Sequence, residues 1–232
     1  MKLNSIDIKK FNAKQMKVEF QPASRTTEAE WERGQRLPIE FETAVGFSSL
    51  KVTVYFNSRS GSNVQRSIAE FLSLIDGSVI IELDHYKGKY KGFMKSDPSI
   101  TSTKELNKKI VTLEFKGYMF DEEIKVTVNG TNAEPVALVG AREAPCVLEV
   151  NAKEAISNLI IKGFGNDDIV VDNMAKGELL IIDGIAGKVT VGGMNAFKKV
   201  DLWEFPYIKK KTTVSMSNSN ADLLIRYYPM WV

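Results

Sequence analysis

Residues 159–193 read LIIKGFGNDDIVVDNMAKGELLIIDGIAGKVTVGG. Short apolar runs stand at Leu159-Ile160-Ile161, Ile169-Val170-Val171, Leu179-Leu180-Ile181-Ile182 and Val189-Thr190-Val191. Turn-forming residues follow each of them: Gly163 with Gly165-Asn166, then Asp172-Asn173, Asp183-Gly184 and Gly192-Gly193. The runs are too short for helices and carry no 3.6-residue period. Their recurrence about every ten residues, with turn chemistry between, is the pattern of consecutive antiparallel strands. The same rhythm extends outward, through 147–150 on one side and through 200–203, 214–216 and 223–227 on the other. It predicts a β-sandwich of jelly-roll or similar topology over residues 133–232. A connector over 133–142, with Pro135 and Gly140, marks its start.

Residues 1–132 read differently. Met16, Val18 and Phe20 alternate with Lys17 and Glu19, and Leu50, Val52, Val54 and Phe56 alternate with Lys51, Thr53 and Tyr55. Val111, Leu113 and Phe115 repeat the pattern, as do Ile124, Val126 and Val128 before the turn signal Asn129-Gly130. A period of two puts one set of side chains on a core face and the other in solvent. Between the second and third of these strands, Val64, Ile68, Phe71, Leu72 and Ile75 fall on one face of a helix over about 62–75, with Ser62 as N-cap and Asp76-Gly77 as stop. The chain is thus expected to be mainly β: an N-terminal β domain with one α-helix (1–132), then a β-sandwich (133–232). Residues 21–38 break the alternation. Arg25, Glu28, Arg33 and Arg36 surround a single aromatic, Trp31. Tryptophan with arginine is an anchor composition at interfaces, so this excursion is a candidate inter-subunit arm, or a loop that orders on assembly.

Composition narrows the function. The chain has 232 residues, 31 Lys+Arg against 29 Asp+Glu, and a formal net charge of +2, which gives no bulk-charge argument for nucleic-acid binding. The hydrophobic share of 44% and charged share of 26% are those of a folded protein. The opening residues lack the apolar core of a signal peptide, and no stretch approaches the ~20 residues of a membrane span. With one cysteine (Cys146) and one histidine (His85), neither an intrachain disulfide nor a multi-Cys zinc site is available. His85, in Asp84-His85-Tyr86-Lys87-Gly88, reads as a turn between strands. Asn166-Asp167-Asp168 and Asp172-Asn173 lack the spacing of a calcium loop and read as polar strand ends. Lys209-Lys210-Lys211 reads as a solvated loop, and Gly163–Gly165 lacks the third glycine of a nucleotide-binding turn. Trp203 and Trp231 are the aromatics able to stack on a sugar, with core packing as the alternative. No catalytic, cofactor or metal residues stand out, and the chain reads as a binding or structural protein.

Particular residues then resemble one family. In order along the chain they are Trp31-Glu32-Arg33-Gly34 with Pro38; Gly46-Phe47-Ser48-Ser49-Leu50-Lys51-Val52; Ile68-Ala69-Glu70-Phe71-Leu72; Leu83-Asp84-His85-Tyr86-Lys87-Gly88-Lys89-Tyr90-Lys91-Gly92; and Val111-Thr112-Leu113-Glu114-Phe115-Lys116-Gly117-Tyr118. The second half adds Ala144-Pro145-Cys146, Leu159-Ile160-Ile161-Lys162-Gly163, Ile181-Ile182-Asp183-Gly184, Leu202-Trp203-Glu204-Phe205-Pro206-Tyr207-Ile208 and Ile225-Arg226-Tyr227-Tyr228-Pro229-Met230-Trp231. The chain resembles the distal tail (Dit) proteins of long-tailed bacteriophages and prophages. The resemblance implies a tail-tube-like N-terminal domain, six copies of which close into a ring around the DNA channel. One face of the ring would meet the tail tube protein and the other the tail-associated tip protein, with DNA passing through unbound. It also implies a galectin-like C-terminal sandwich at the periphery that holds receptor-binding parts, a place in the virion tail tip after synthesis in the bacterial cytoplasm, and no enzyme activity or cofactor. The alternative expectation is a carbohydrate-binding sandwich that contacts the host cell wall. The chain has no room for an inserted carbohydrate-binding module of the kind longer relatives carry.

Overall fold

The computed structural model describes residues 1–30 and 39–231, with backbone only at 27–30 and 39–44. The chain divides into two compact units, 1–120 and 121–231.

In the first unit the strands are β1 (Lys2–Leu3), β2 (Ile6–Asp7), β3 (Ala13–Gln21), β4 (Arg25–Glu30), β5 (Ile39–Val45), β6 (Ser48–Asn57), β7 (Ser78–Glu82), β8 (Lys89–Met94), β9 (Ser99–Ser102) and β10 (Lys108–Phe120). An antiparallel sheet runs β2-β1-β7-β8-β10-β6-β3, with β9 beside the first part of β10. Alternation does what the sequence requires. Leu50, Val52, Val54 and Phe56 of β6 and Val111, Leu113 and Phe115 of β10 are all fully buried or nearly so. Among the residues between them Lys51 pairs with Glu114 (3.6 Å), and on the neighbouring strands Lys2 of β1 and Lys89 of β8 pair with Glu82 of β7 at 3.1 and 3.6 Å.

The helix α1 (Gly61–Leu72) covers part of the inner face through Val64, Ile68 and Phe71. Phe71 meets Phe56 and Phe11 edge-on, at ring separations of 5.3 and 6.1 Å. The expected helix over 62–75 is shifted toward the N-terminus. Ser60, not Ser62, is the N-cap, and its Oγ accepts the Asn63 N–H at 3.3 Å. At the other end Leu74 and Ile75 donate to the carbonyls of Phe71 and Leu72, so the last turn tightens into three-residue closures outside the α-helix.

The second unit contains β11 (Ile124–Asn129), β12 (Glu134–Ala137), β13 (Ala144–Ala152), β14 (Ile156–Lys162), β15 (Ile169–Met174), β16 (Leu179–Asp183), β17 (Lys188–Val191), β18 (Met194–Asn195), β19 (Val200–Asp201), β20 (Tyr207–Ile208), β21 (Lys211–Met216) and β22 (Ala221–Tyr227). Two sheets, β11-β22-β13-β16-β17-β18 and β12-β21-β14-β15-β19, enclose one apolar core. This is the β-sandwich that the ten-residue rhythm predicts. Two boundaries move. Strand β11, assigned from sequence to the first domain, pairs with β22 from Ile124↔Tyr227 to Asn129↔Asp222, so the division follows Phe120 rather than residue 132. Periodicity identifies a strand but not its partner. The connector 133–142 also contains a strand, β12, paired with β21.

Candidate functional site

Part of the 21–38 excursion is the strand β4. Strand β4 pairs antiparallel with β5, from Arg25↔Val45 to Glu30↔Ile39, with a register shift between Thr27 and Ala29. The hairpin continues the β3–β6 ladder, whose last pair is Gln21↔Ser49. Its two strands are joined at the base by the Gly46 N–H donating to the Ser24 carbonyl at 2.9 Å. A Cβ on Gly46 would lie 2.7 Å from Ser24 Oγ, which a rotation of the serine side chain would relieve. Of the candidate arm residues, Arg25 is exposed on β4 and Glu28 lies in the register shift. The side chain of Glu28, and Trp31, Arg33 and Arg36 altogether, lie outside the described residues.

The root of this hairpin is buried and hydrogen-bonded. Ser48 opens β6 and is 1% exposed. Its hydroxyl donates to the Gly117 carbonyl at 2.8 Å, and its own carbonyl accepts the Tyr90 hydroxyl at 2.8 Å. Tyr90 is also 1% exposed, and burial pushes its phenol above the ordinary tyrosine value. Gly92 and Gly117 face each other across β8 and β10, and a Cβ on Gly117 would stand 2.0 Å from the Lys91 carbonyl oxygen. On the outer face Phe47 packs edge-on against Phe93 at 5.6 Å, and both rings remain exposed. Sequence reasoning missed this network. The signal was present in Gly92 and Gly117, since a glycine inside a strand marks a close backbone approach.

The sheet ends at β3, and among the described residues no further strand pairs with it. The register of β3 shifts at Met16, which stands between Gln15↔Val54 and Lys17↔Thr53.

The reactive residue types are spread out. His85 occupies a left-handed turn (φ 66°) between β7 and β8, next to Asp84, which pairs with the N-terminal amine. Cys146 is fully buried in the sandwich core, and desolvation pushes its thiol far up, away from the reactive thiolate. Among the described residues no three His, Cys, Asp or Glu side chains gather as a metal site. Asp168 pairs with Lys162 at 3.0 Å, and Asp172 lies within β15. Lys209 Nζ reaches Asn166 Oδ1 and sits 5.6 Å from the Tyr207 ring centre, so the head of the lysine run is held rather than free. The two candidate sugar-stacking tryptophans differ. Trp231 donates its indole N–H to Asp121 at 2.8 Å, whereas Trp203 is 88% exposed.

The sequence matches no family profile and no curated protein. Solved structures do match. The SPP1 Dit (gp 19.1) protein, described as a paradigm of the hub adsorption apparatus in phages that infect Gram-positive hosts, aligns with a TM-score of 0.79. That alignment covers 99% of this chain and 98% of that one, at 12% identity. The fold is that of a phage tail hub protein. A chain of the phage P2 baseplate, in its activated conformation with calcium, aligns with a TM-score of 0.55 over 95% of this chain and 92% of that one, at 10% identity. The strontium form gives 0.54 at the same coverage and identity. The hub-like fold thus spans both units.

Proposed function

We propose that this chain is a structural hub of a phage tail tip, six copies of which close into a ring around the DNA channel. The ring joins the tail tube protein on one face to the tail-associated tip protein on the other, and DNA passes through without specific binding. The observation that carries this reading is the match to the SPP1 Dit protein over nearly the whole of both chains. Physical features support it. A closed ring needs two different complementary surfaces on each copy. The first unit offers an open sheet edge at β3 and a hairpin extended from it, with Arg25, Glu28, Trp31, Arg33 and Arg36 as the inter-subunit arm. Strand edges and arms of this kind let backbone groups and anchor side chains pair between copies. The second unit serves as the carrier of receptor-binding parts, and the protein acts as scaffold rather than enzyme.

The test is the particle itself. Negative-stain imaging and native mass measurement at rising concentration, alone and with the tube and tip proteins, should give six-fold rings of six times the 25.9 kDa chain. A monomer under all of these conditions overturns the reading.

A further inference from the structure

The β3–β6 ladder has two different ends. Past Gln21↔Ser49 it leads into the β4–β5 hairpin, and past Ala13↔Phe56 it opens on a cleft of about 620 Å³ beside α1. Asn12, Asn57 and Ser58 line the cleft from the ladder side, and Asn63, Arg66 and Glu70 line it from an exposed stripe of α1. Every lining residue is polar or charged. The ladder side is held in place. The Asn57 N–H donates to the Asn12 carbonyl at 3.1 Å, the Ser58 N–H to the Asn107 carbonyl at 3.1 Å, and the Asn107 side-chain amide back to the Ser58 carbonyl at 2.9 Å. Arg59 also lines the cleft, with no hydrogen-bond or ion-pair partner among the described residues. Arg66 meets Glu70 one turn on at 3.3 Å, in an exposed pair of the kind that contributes little. Glu70 is the one carboxylate of the lining, and Lys9 and Lys10 add exposed cations in the short 3-10 turn that ends at Asn12.

We propose that this cleft is the socket for the β4–β5 hairpin of a neighbouring copy. The proposal rests on the hub reading and names the surface that receives the arm. Charge selects the occupant. Strands β4 and β5 carry Glu28, Glu30, Glu40 and Glu42 with Arg25 as their one cation, and over 25–45 glutamates outnumber arginines five to three. A guanidinium fork matches a carboxylate through two parallel hydrogen bonds, and asparagine and serine side chains supply donors for the carboxylate's remaining lone pairs. Opposed charge across such a contact fixes register and rejects wrong partners. A nucleic-acid backbone would instead meet Glu70 in the lining and a chain of net charge +2. The ladder decides whose hairpin enters. Strand β3 is nine residues long and sets the hairpin's root about 26 Å from the cleft, at the opposite end of the ladder. A copy's own arm is thus remote from its own socket. Arm and socket at opposite ends of each copy make a head-to-tail contact, the type that generates a ring when its rotation closes.

The test places a photoreactive side chain in the full chain by Asn63→p-benzoylphenylalanine, at an exposed position of the cleft. Irradiation of a concentrated mixture of isotope-labelled and unlabelled protein should join this position to a peptide within 26–51 of the other chain. Charge reversal reads the same contact by native mass measurement. Arg59→Glu with Arg66→Glu should weaken self-association about ten-fold or more, as should Glu28→Lys with Glu30→Lys in a separate chain. Arg59 and Arg66 are exposed, so the cleft variant should melt as wild type does. Mixed one to one, the two variants should associate again, because each arm then meets a cleft of opposite charge. No crosslink into 26–51, or one made within a single chain, overturns the proposal. So do reversed variants that associate as wild type, or a mixture that associates no better than its parts. With tube protein, tip protein or DNA added, a crosslink to one of these in place of the arm equally overturns it. Six-fold rings without the crosslink keep the hub reading and refute the socket, whereas the crosslink in open chains keeps the socket and refutes the ring.

Discussion

Replacing Gly117 with alanine tests the packing at the root of the hairpin quantitatively. The new Cβ would stand 2.0 Å from the Lys91 carbonyl oxygen and 2.6 Å from Gly92 Cα, where ordinary contact begins at 3.4 Å. The obstructing atoms are backbone of β8, which is held by β7 on its other side, so no side-chain rotation relieves the clash. The two strands must part by more than an ångström, which takes neighbouring N–H···O bonds past useful length. Tyr90, on the displaced strand, then loses its 2.8 Å bond to the Ser48 carbonyl. Each backbone bond lost costs about 1 kcal/mol, and a buried group left unpaired about 1–3 kcal/mol, so Gly117→Ala should cost roughly 2–4 kcal/mol. For a unit of this size that is roughly 8–15 °C in the melting temperature. Tyr90→Phe removes only the hydroxyl and should cost about 1–2 kcal/mol. Hydrogen exchange on peptides covering 89–94 and 111–120 localises the loss to the first unit, which a global melt of a two-unit chain does not. If Gly117→Ala melts within a couple of degrees of wild type, with exchange unchanged over both peptides, the close glycine pair is no constraint and the reasoning fails.

Replacing 25–45 with a Gly-Gly link should leave a folded monomer with near-native exchange in β6 and β10 but no six-fold particles by negative stain; rings of normal symmetry would exclude the arm role. Deleting Met16 should rejoin Gln15↔Val54 directly to Lys17↔Thr53, keeping Ala13, Val18 and Phe20 inward. The straightened edge should give larger, heterogeneous assemblies by light scattering at unchanged or higher stability. Glu178 is held below the ordinary glutamate value, chiefly by its bond from Lys199 and then by the Ala175 N–H. A depressed carboxyl contributes stability in full above its unfolded value of about 4.3, and the contribution is lost as pH falls through the lower folded value. Acid titration of unfolding should therefore show Glu178→Gln and wild type differing most above about pH 5 and converging as pH falls further.

The strands were legible where one face is buried and the other wet. In β6 the alternation of Leu50, Val52, Val54 and Phe56 reproduces the burial pattern residue by residue, whereas in β22 the apolar run 223–227 marks the strand without its alternation. The β12 strand escaped notice because only Val136 among its residues is buried, so the four positions carry too little alternation to read. Strand β4 escaped notice for a related reason, since nothing in Thr26-Thr27-Glu28-Ala29-Glu30 marks an inner face, whereas in β5 Ile39 and Phe41 do alternate with Glu40 and Glu42. Pairing partners are the harder loss. Ile124, Val126 and Val128 announce a strand, but only the fold shows that its neighbour lies about a hundred residues away in β22. The hydrogen bonds that tie Asn166 to Glu204 and Lys209, and Tyr207 to Glu204, have the same origin, since the loops that meet there are distant in sequence.

A chain that assembles through sheet edges must attract its own copies without polymerising. A flat, unpaired edge recruits strands indefinitely, and native proteins interrupt such edges with bulges and charges. Strand β3 carries both devices. Met16 breaks the ladder at its middle, and Lys14, Lys17 and Glu19 occupy the solvent side. Beyond the bulge the same strand leads through Pro22-Ala23-Ser24 into the hairpin. In the proposed ring, pairing with a neighbour would be confined to the segment past Met16 and to the proposed arm. A short edge plus an arm fixes both the position and the angle of the next copy, and a fixed rotation is what closes a ring rather than extending a filament. In the proposed ring, the buried root at Ser48, Tyr90 and Gly117 would meet the same requirement. An arm that sets an angle is only as accurate as its base, and a buried hydrogen-bond network between three strands holds that base where a solvated turn would let it swing.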